Sequence, residues 1–257
     1  LLIAICFITI IHSQGNYNVY DSVYDGKGNK YNLNSLALKQ INPGVNLIFA
    51  PTTVTCQAGY FRLFFAPNSG LDGNTPVEIA KRNVFCQLMT DISCFITSPL
   101  NSPCNTTTNT TTFVNLYITN TTVGAGNASA IYVFPQGANP NVGIIHNAIW
   151  KTIVTGTDAY QGVSSPLGYS AGGGFYHGYM RINNTLNWYL NLSSTTAIVS
   201  GQADLYTVML HEALHSLGFE SLIGPTGASL YTSLGGPNAY SKYDSFLKDG
   251  LGNSLLS

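Results

Sequence analysis

The chain begins with an unbroken apolar run, residues 1–11, and polar residues 12–15 follow it at once. A helix needs about 20 apolar residues to cross a bilayer, so this run is too short to be a membrane span. Its length is typical of the apolar segment of a secretory signal peptide. We therefore expect residues 1–14 to belong to a signal peptide that starts before residue 1. A buried strand or helix is the alternative.

Short apolar runs separated by turn residues occupy much of the first half of the chain. Three of them, residues 45–50, 59–66 and 113–119, are rich in β-branched and aromatic residues and are typical of strands. Turn-forming clusters separate the second run from the third. We expect residues 15–125 to form a β-rich N-terminal region, either a prodomain or an accessory domain.

Helical periodicity replaces the strand pattern in the second half. Ile144, Ile145, Ala148 and Ile149 fall at helical spacing. Residues 203–219 form a second such segment, with an apolar stripe and with Gly218 where a helix would stop. These patterns predict an α+β fold class, with a domain boundary near residue 126.

The composition excludes several classes of protein. Of the 257 residues 45% are hydrophobic and only 8% are charged, and the formal net charge is −1. Ordinary soluble domains carry roughly 25% charged residues, so a coiled coil and a charge-rich disordered chain are both excluded. A neutral chain also has no electrostatic basis for binding phosphate backbones, and we expect no nucleic-acid partner.

Cysteines and glycosylation sequons fit an exported protein. Without the leader, four cysteines remain, and we expect two disulfide bonds in one of three connectivities: Cys56, Cys86, Cys94 and Cys104. Six Asn-x-Ser/Thr sequons could carry glycans that solubilise so uncharged a surface: Asn105, Asn109, Asn120, Asn127, Asn183 and Asn191. For residues 105–112 a plain polar loop is the alternative.

One sequence motif indicates a metal-binding or catalytic site. His211, Glu212 and His215 form the pattern H-E-x-x-H inside the second helical segment. Positions i and i+4 lie on one face of a helix, so both imidazoles can bind the same Zn²⁺ ion. Glu212 would then be the general base that deprotonates a zinc-activated water. A buried helix with two hydrogen-bonded histidines is the alternative, but Glu is rarely buried without a partner.

The stretch from His211 to Phe219, HEALHSLGF, resembles the start of the metzincin signature of zinc metallopeptidases, and it looks most like leishmanolysin-type enzymes. The resemblance implies a zincin-like catalytic domain over residues 126–257, with a twisted sheet and an active-site helix. The segment GYMRIN, residues 178–183, is similar to the family's edge strand, which lies antiparallel to bound substrate. Residues 243–253 look like a segment that follows the motif in some secreted relatives.

The chain departs from this pattern at the third zinc ligand. In the compact signature that ligand stands six residues after the second His, where this chain has Ser221, and no Met-turn follows. A catalytic zinc site normally has three protein ligands. We expect the third beyond residue 257, in a domain that the chain does not complete, with Asp244 and then Glu220 as internal alternatives.

His146 and His177 are further possible ligands, although a lone His is more often a surface or core residue. The sequence as a whole predicts a secreted zinc endopeptidase that acts on peptide or protein substrates, at the cell surface if an attachment follows the chain. The alternative is a non-catalytic secreted or cell-surface glycoprotein that keeps the fold with an incomplete metal site.

Overall fold

The computed structural model describes residues 22–24, 30–32, 54–96, 98–100, 113–130, 143–159, 176–193, 197–230 and 238–256. The expected leader, the strand expected at residues 45–50, Cys104, Asn105 and Asn109 lie outside these ranges. Among the described residues, no helix is long and apolar enough to cross a membrane.

The described residues form a mixed α+β fold, as the sequence predicts. Its helices are α1 (Pro76–Phe95), α2 (Ala148–Thr155) and α3 (Leu205–Ser216). The strands in the first half are β1 (Ser22–Tyr24), β2 (Lys30–Asn32), β3 (Thr55–Ala58), β4 (Phe61–Phe65) and β5 (Val114–Asn120). The later strands are β6 (Gly126–Ala130), β7 (Gly143–Ile145), β8 (Gly178–Ile182), β9 (Trp188–Tyr189), β10 (Ala203–Asp204) and β11 (Ala239–Ser241).

A five-stranded sheet in the order β3-β4-β5-β8-β6 is the centre of the fold. Strands β4, β5 and β8 run parallel, while β3 and β6 are antiparallel to their neighbours β4 and β8. Strands from both sides of the boundary expected near residue 126 therefore share this one sheet. The other strands pair in twos: β1 with β2, β9 with β10, and β7 with β11.

Alternation along the strands separates two apolar layers, because successive side chains of a strand point to opposite faces. On β4, Phe61, Leu63 and Phe65 belong to the main core, which also contains apolar residues of α1 and α3. Phe64 belongs instead to a smaller aromatic cluster on the opposite face. The strands expected at residues 59–66 and 113–119 are confirmed as β4 and β5.

Helix α1 corrects the prediction of a mostly β N-terminal region. It starts at a capping box, in which the Glu78 N–H donates to Thr75 Oγ1 (3.3 Å) and the Thr75 N–H donates to Glu78 Oε2 (3.1 Å). Pro76 occupies the first turn, where a missing N–H does no harm. A disulfide between Cys56 and Cys86 joins β3 to α1. Cys94 is also disulfide-bonded.

The helix expected around residue 144 begins later than its spacing suggested. Residues 143–145 form strand β7, which pairs with β11, and α2 starts only at Ala148. The side chain of Asn147 sets this start, because its Oδ1 accepts a hydrogen bond from the N–H of Trp150 (2.6 Å). Ile149 and Ile153 of α2 are fully buried.

The described sequons differ in exposure. Asn120 and Asn191 are exposed, and Asn127 is half-buried within β6. Asn183 is buried, and its Nδ2 donates to the carbonyl of Gly124 (2.8 Å). A glycan does not fit on Asn183 in this fold, because its amide nitrogen already makes a buried hydrogen bond.

Candidate metal centre

Helix α3 carries the H-E-x-x-H motif, and its start and end are both set by the sequence. Asp204 caps the N-terminus by accepting a hydrogen bond from the Thr207 N–H (3.2 Å). Leu205, Met209 and Ala213 are fully buried and attach one face of the helix to the main core. The helix predicted for this segment is confirmed, and the two histidines lie on a less buried face.

The two histidines meet nitrogen to nitrogen. Nε2 of His211 lies 3.1 Å from Nε2 of His215, and the ring planes are nearly perpendicular at 87°. Two nitrogens bound to one tetrahedral zinc at normal bond lengths lie about 3.3 Å apart. The spacing of the two rings therefore fits a shared zinc ion.

A Schellman motif at the end of α3 orients His215. The N–H of Gly218 donates to the carbonyl of His215 (2.9 Å), and the N–H of Phe219 donates to that of Leu214 (3.1 Å). Gly218 has a φ of +107°, which only glycine adopts without strain. The turn places the Phe219 carbonyl oxygen 2.9 Å from Nδ1 of His215.

This contact decides which nitrogen of His215 can bind a metal. A carbonyl oxygen can only accept, so Nδ1 of His215 must carry the proton. Nε2 of the neutral ring then has a free lone pair directed at His211. Histidine ligands of metal sites are commonly held in this way by a backbone carbonyl on the other ring nitrogen. Burial, followed by the nearby His215, lowers the pKa of His211 and favours the neutral form of that ring.

Glu212 is the buried member of the motif. Its side chain is 9% exposed, and its carboxyl accepts a hydrogen bond from the backbone N–H of Ala128 in β6. Burial raises the pKa of Glu212 to about 7, and the Ala128 hydrogen bond lowers it less than burial raises it. The motif thus presents two imidazoles beside a carboxyl group whose pKa, about 7, lies near neutral pH.

Gly126 permits the close approach of β6 to α3. A Cβ atom on Gly126 would lie 2.8 Å from the Arg181 carbonyl oxygen, 3.4 Å from Sδ of Met209 and 3.6 Å from Cγ of Glu212. A Cβ contact below 3 Å with backbone forces the strand to shift. The absence of a side chain at Gly126 therefore helps to place the Ala128 N–H beside Glu212.

The position of the edge strand differs from the expectation. GYMRI, residues 178–182, forms β8, which is paired on both sides, with β5 and β6. The edge on this side of the sheet, within the described residues, is β6, and it is antiparallel to β8. The local sequence was a poor guide because a strand's place in a sheet depends on partners that are distant in the chain.

Neither internal candidate for the third ligand joins the histidines. Both carboxylate oxygens of the buried Asp244 are hydrogen-bonded, Oδ1 to Ser221 Oγ (2.6 Å) and Oδ2 to the N–H groups of Leu222 (2.9 Å) and Ser241 (2.8 Å). Glu220 lies in the same region, where its carbonyl accepts from Ser241 Oγ (2.7 Å). Across the ranges that the structure describes, no three His, Cys, Asp or Glu side chains gather closely enough to hold one ion.

The two remaining candidate histidines lie elsewhere. His177 is fully buried, its Nδ1 accepts from the Asn115 N–H (3.0 Å), and its Nε2 lies 3.3 Å from Asp158 Oδ1. Both ring nitrogens of His177 are therefore used in holding the fold. His146 lines a cavity beyond the end of α3.

Three supporting groups were not predicted from the sequence: the Phe219 carbonyl, the Ala128 N–H and the Asn147 side chain. Nδ2 of Asn147 donates to the carbonyl of Ser216 (3.2 Å), so it joins the start of α2 to the end of α3. The sequence did carry one signal, because Asn is a preferred capping residue and Asn147 precedes the apolar segment of α2. The roles of the Phe219 carbonyl and the Ala128 N–H cannot be predicted from side-chain patterns, because both are backbone groups.

No protein-family model, curated protein or solved structure matches the chain.

Proposed function

We propose that the protein is a zinc-dependent endopeptidase in which His211 and His215 hold the metal and Glu212 is the general base. The observation that carries the proposal is the meeting of the two Nε2 atoms at 3.1 Å on the helix that also bears Glu212. The resemblance of residues 211–219 to the metzincin signature supports the same class. The helix packs against a mixed sheet, which is compatible with a zincin-like domain.

The side chains divide the chemistry between them. His211 and His215 would each offer one ring nitrogen to the metal, with His215 oriented by the Phe219 carbonyl. The bound zinc ion would lower the pKa of a water molecule and polarise the peptide carbonyl. Glu212 would take the proton from the attacking water and pass it to the leaving amine. Its burial against β6 limits the positions that its carboxylate can adopt.

The substrate would bind along β6. This strand is at the edge of the sheet within the described residues, and its Ala128 N–H reaches Glu212. An extended peptide that pairs with a strand edge gains main-chain hydrogen bonds regardless of its sequence, and the Ala128 N–H, which donates to Glu212, is not among the groups left for it. The geometry therefore favours an extended segment of a peptide or protein as the substrate.

A second candidate function is favoured by one specific observation. Since no third ligand joins the two histidines within the described residues, the fold would also suit a non-catalytic secreted or cell-surface glycoprotein. In that case Nε2 of His211 would donate a hydrogen bond to Nε2 of His215, and the pair would only stabilise the helix. Zinc content separates the two candidates.

The test compares zinc content and peptidase activity in the full-length protein and four variants. The proposal predicts about one zinc per chain. His211→Ala and His215→Ala should lose the zinc, while Glu212→Gln should keep the zinc and lose peptidase activity. His177→Gln is not a suitable control, because His177 is buried. His146→Gln is the matched control, since this exposed His lies outside the motif.

Two results would count against the enzyme. Zinc-free protein with intact stability would favour the non-catalytic alternative. Undiminished proteolysis by Glu212→Gln would reject Glu212 as the base even if zinc were bound.

Export and glycosylation remain part of the proposal. The exposed sequons Asn120 and Asn191 are the described positions that best accommodate a glycan. Expression through a secretory pathway should yield protein whose mass falls on treatment with an amidase that removes N-glycans. Asn120→Gln and Asn191→Gln should each remove one glycan, whereas Asn183 should carry none.

A further inference from the structure

A cavity of about 210 Å³ lies beyond the end of α3. Its walls are largely apolar and come from three parts of the chain: Trp150 of α2, Leu217 and Phe219 after α3, and Tyr243 and Phe246 near β11. An engineered apolar cavity of about 150 Å³ is large enough for benzene. The space therefore accepts one aromatic ring or a branched aliphatic side chain.

The aromatic walls are open to solvent. Phe246 is 68% exposed and Phe219 is 56% exposed. Phe219 and Tyr243 are near each other, with ring centroids 6.2 Å apart. Aromatic rings left uncovered around a concave space are typical of binding sites for apolar groups.

One wall of the same cavity carries a positive charge. Lys242 lines it, and its Nζ lies 5.1 Å from the centre of the Phe246 ring. Burial, and after it the charges of Lys242 and then Lys151, lower the pKa of His146, another lining residue. The whole chain has only ten Lys and Arg residues. The acidic residues nearest to the lining residues in sequence are Glu220, after Phe219, and Asp244, after Tyr243, and neither lines the cavity. The Asp244 carboxylate is hydrogen-bonded to Ser221, Leu222 and Ser241.

We propose that this cavity binds a peptide that ends in an aromatic residue, with the ring inside the cavity and the free carboxylate against Lys242. An aromatic side chain matches the volume and the apolar walls. The terminal carboxylate matches Lys242, which a neutral or amidated end would leave without a counter-charge. The proposal goes beyond peptide-bond hydrolysis, since it assigns a binding site outside the H-E-x-x-H motif.

The test is a fluorescence titration of the full-length Glu212→Gln variant, in which the proposed base is absent and cleavage cannot interfere. Trp150 lines the cavity, and the only other tryptophan, Trp188, is buried with its Nε1 bonded to the Asn183 carbonyl (2.8 Å). The probes are acetyl-alanyl-phenylalanine, its C-terminal amide, and acetyl-alanyl-alanine. We expect a fluorescence change with the first probe and up to about fivefold weaker binding of the amide, the upper end for the loss of one exposed ion pair.

Four substitutions test whether the probes bind in this cavity. Lys242→Gln should weaken binding of the acid up to about fivefold and leave the amide unchanged. Its matched control, Lys248→Gln, alters another exposed lysine of the same segment and should change neither. Phe246→Ala should weaken both aromatic probes, while Phe95→Ala, at a residue 86% exposed on α1, should not.

Equal binding of acid and amide would overturn the proposal, as would an equal effect of Lys242→Gln and Lys248→Gln. Absence of binding up to millimolar probe would also overturn it. None of these results bears on the zinc content or the activity of the native protein, so the failure of one proposal is distinguishable from that of the other.

Discussion

The carbonyl oxygen of Phe219 lies 2.9 Å from Nδ1 of His215 and fixes the proton of that ring on the side away from His211. The backbone after the helix, and not a neighbouring carboxylate, thus sets the tautomer of the second histidine. Gly218 makes this possible, because the turn that brings Phe219 back requires its left-handed conformation. The sequence H-S-L-G-F therefore specifies both a helix end and the orientation of a candidate ligand.

Replacing Gly218 should disturb the histidine pair. In Gly218→Ala the new Cβ would be strained at φ +107° and would lie 3.0 Å from Nδ2 of Asn147. We expect a loss of about 1–3 kcal/mol in the free energy of unfolding, together with weaker zinc binding. Denaturant titration and zinc competition measure the two effects.

Gly227→Ala is the matched control for Gly218→Ala. Gly227 also has a positive φ, +83°, but a Cβ there meets nothing within 4 Å. It should lose stability through backbone strain alone and leave zinc binding unchanged. Equal zinc affinity in both variants would show that the end of α3 does not orient His215.

Gly126→Ala tests the approach of β6 to Glu212. The added Cβ would lie 2.8 Å from the backbone oxygen of Arg181, so the strand must shift, at a cost of about 1–3 kcal/mol in stability. Peptidase activity should fall further than stability explains, because the Ala128 N–H moves away from Glu212. Gly250→Ala, where a Cβ meets nothing within 4 Å, should change neither property. Unchanged activity in a folded Gly126→Ala protein would argue against this arrangement.

Asp244→Asn separates a structural carboxylate from a metal ligand. The buried carboxylate accepts hydrogen bonds from Ser221 Oγ and from two backbone N–H groups. Replacing one oxygen by an amide nitrogen should lower the free energy of unfolding by about 2–3 kcal/mol, since hydrogen bonds to a charged group are lost. The zinc content should not change, which elemental analysis of the purified variant would measure.

Asp249→Asn is a suitable comparison for Asp244→Asn. The exposed Asp249 carboxylate also accepts backbone N–H groups, from Leu251 and Asn253 (both 2.8 Å), but in contact with water. Its replacement should have a smaller effect on stability. Loss of zinc in Asp244→Asn alone would restore Asp244 as a ligand.

The sequence predicted the elements that have strong local patterns. Strands β4 and β5 are runs of β-branched and aromatic residues, and α3 has an apolar stripe with a glycine stop. Helix α1 was missed although its signals were present: Thr75 and Glu78 form a capping box, Pro76 stands in the first turn, and buried residues such as Leu88 and Ile92 recur at helical spacing. Turn residues precede the helix, and turn clusters between apolar runs are also typical of β-rich segments.

Features that depend on contacts between residues far apart in the chain could not be predicted from the sequence. The interior place of β8 follows from pairing with β5 and β6, which no local pattern reports. The spacing of His211 and His215 did follow from helix geometry, because i and i+4 must share a face. The contact of Glu212 with Ala128 depends on an edge strand that lies over 80 residues earlier in the chain.

The bond between Cys56 and Cys86 should contribute strongly to stability. The two residues are 30 positions apart, and closing a loop of that length restricts the unfolded chain by about 3–4 kcal/mol in the chain-entropy treatment. The double variant Cys56→Ser/Cys86→Ser should lose about that much in denaturant unfolding under non-reducing conditions. A loss below about 1 kcal/mol would contradict this expectation and mean that the bond adds little net stability to the fold.

The Tyr206 hydroxyl should stabilise the packing of α3 on α1 in a pH-dependent way. It donates a hydrogen bond to Asp91 Oδ2 (2.7 Å), and Tyr206→Phe should lower the free energy of unfolding by about 1–2 kcal/mol near neutrality. Burial, and then the hydrogen bond to Asp91, raise the pKa of Tyr206 to about 12 from its ordinary value of 10.0. The folded state therefore favours the neutral phenol, and the stabilisation is complete below pH 10.

As the pH rises from 10 towards 12, the unfolded chain ionises Tyr206 before the folded chain does, so the advantage of wild type over Tyr206→Phe should shrink. Denaturant unfolding between pH 8 and about 11 measures this difference. Tyr189→Phe is the matched control, because the buried Tyr189 hydroxyl has no hydrogen-bond partner in the part of the chain that the structure describes. Removing that hydroxyl should cost little stability near neutrality, because no hydrogen bond is lost. A gap between wild type and Tyr206→Phe that stays constant across this range would show that Tyr206 has the same pKa in the folded and unfolded chains.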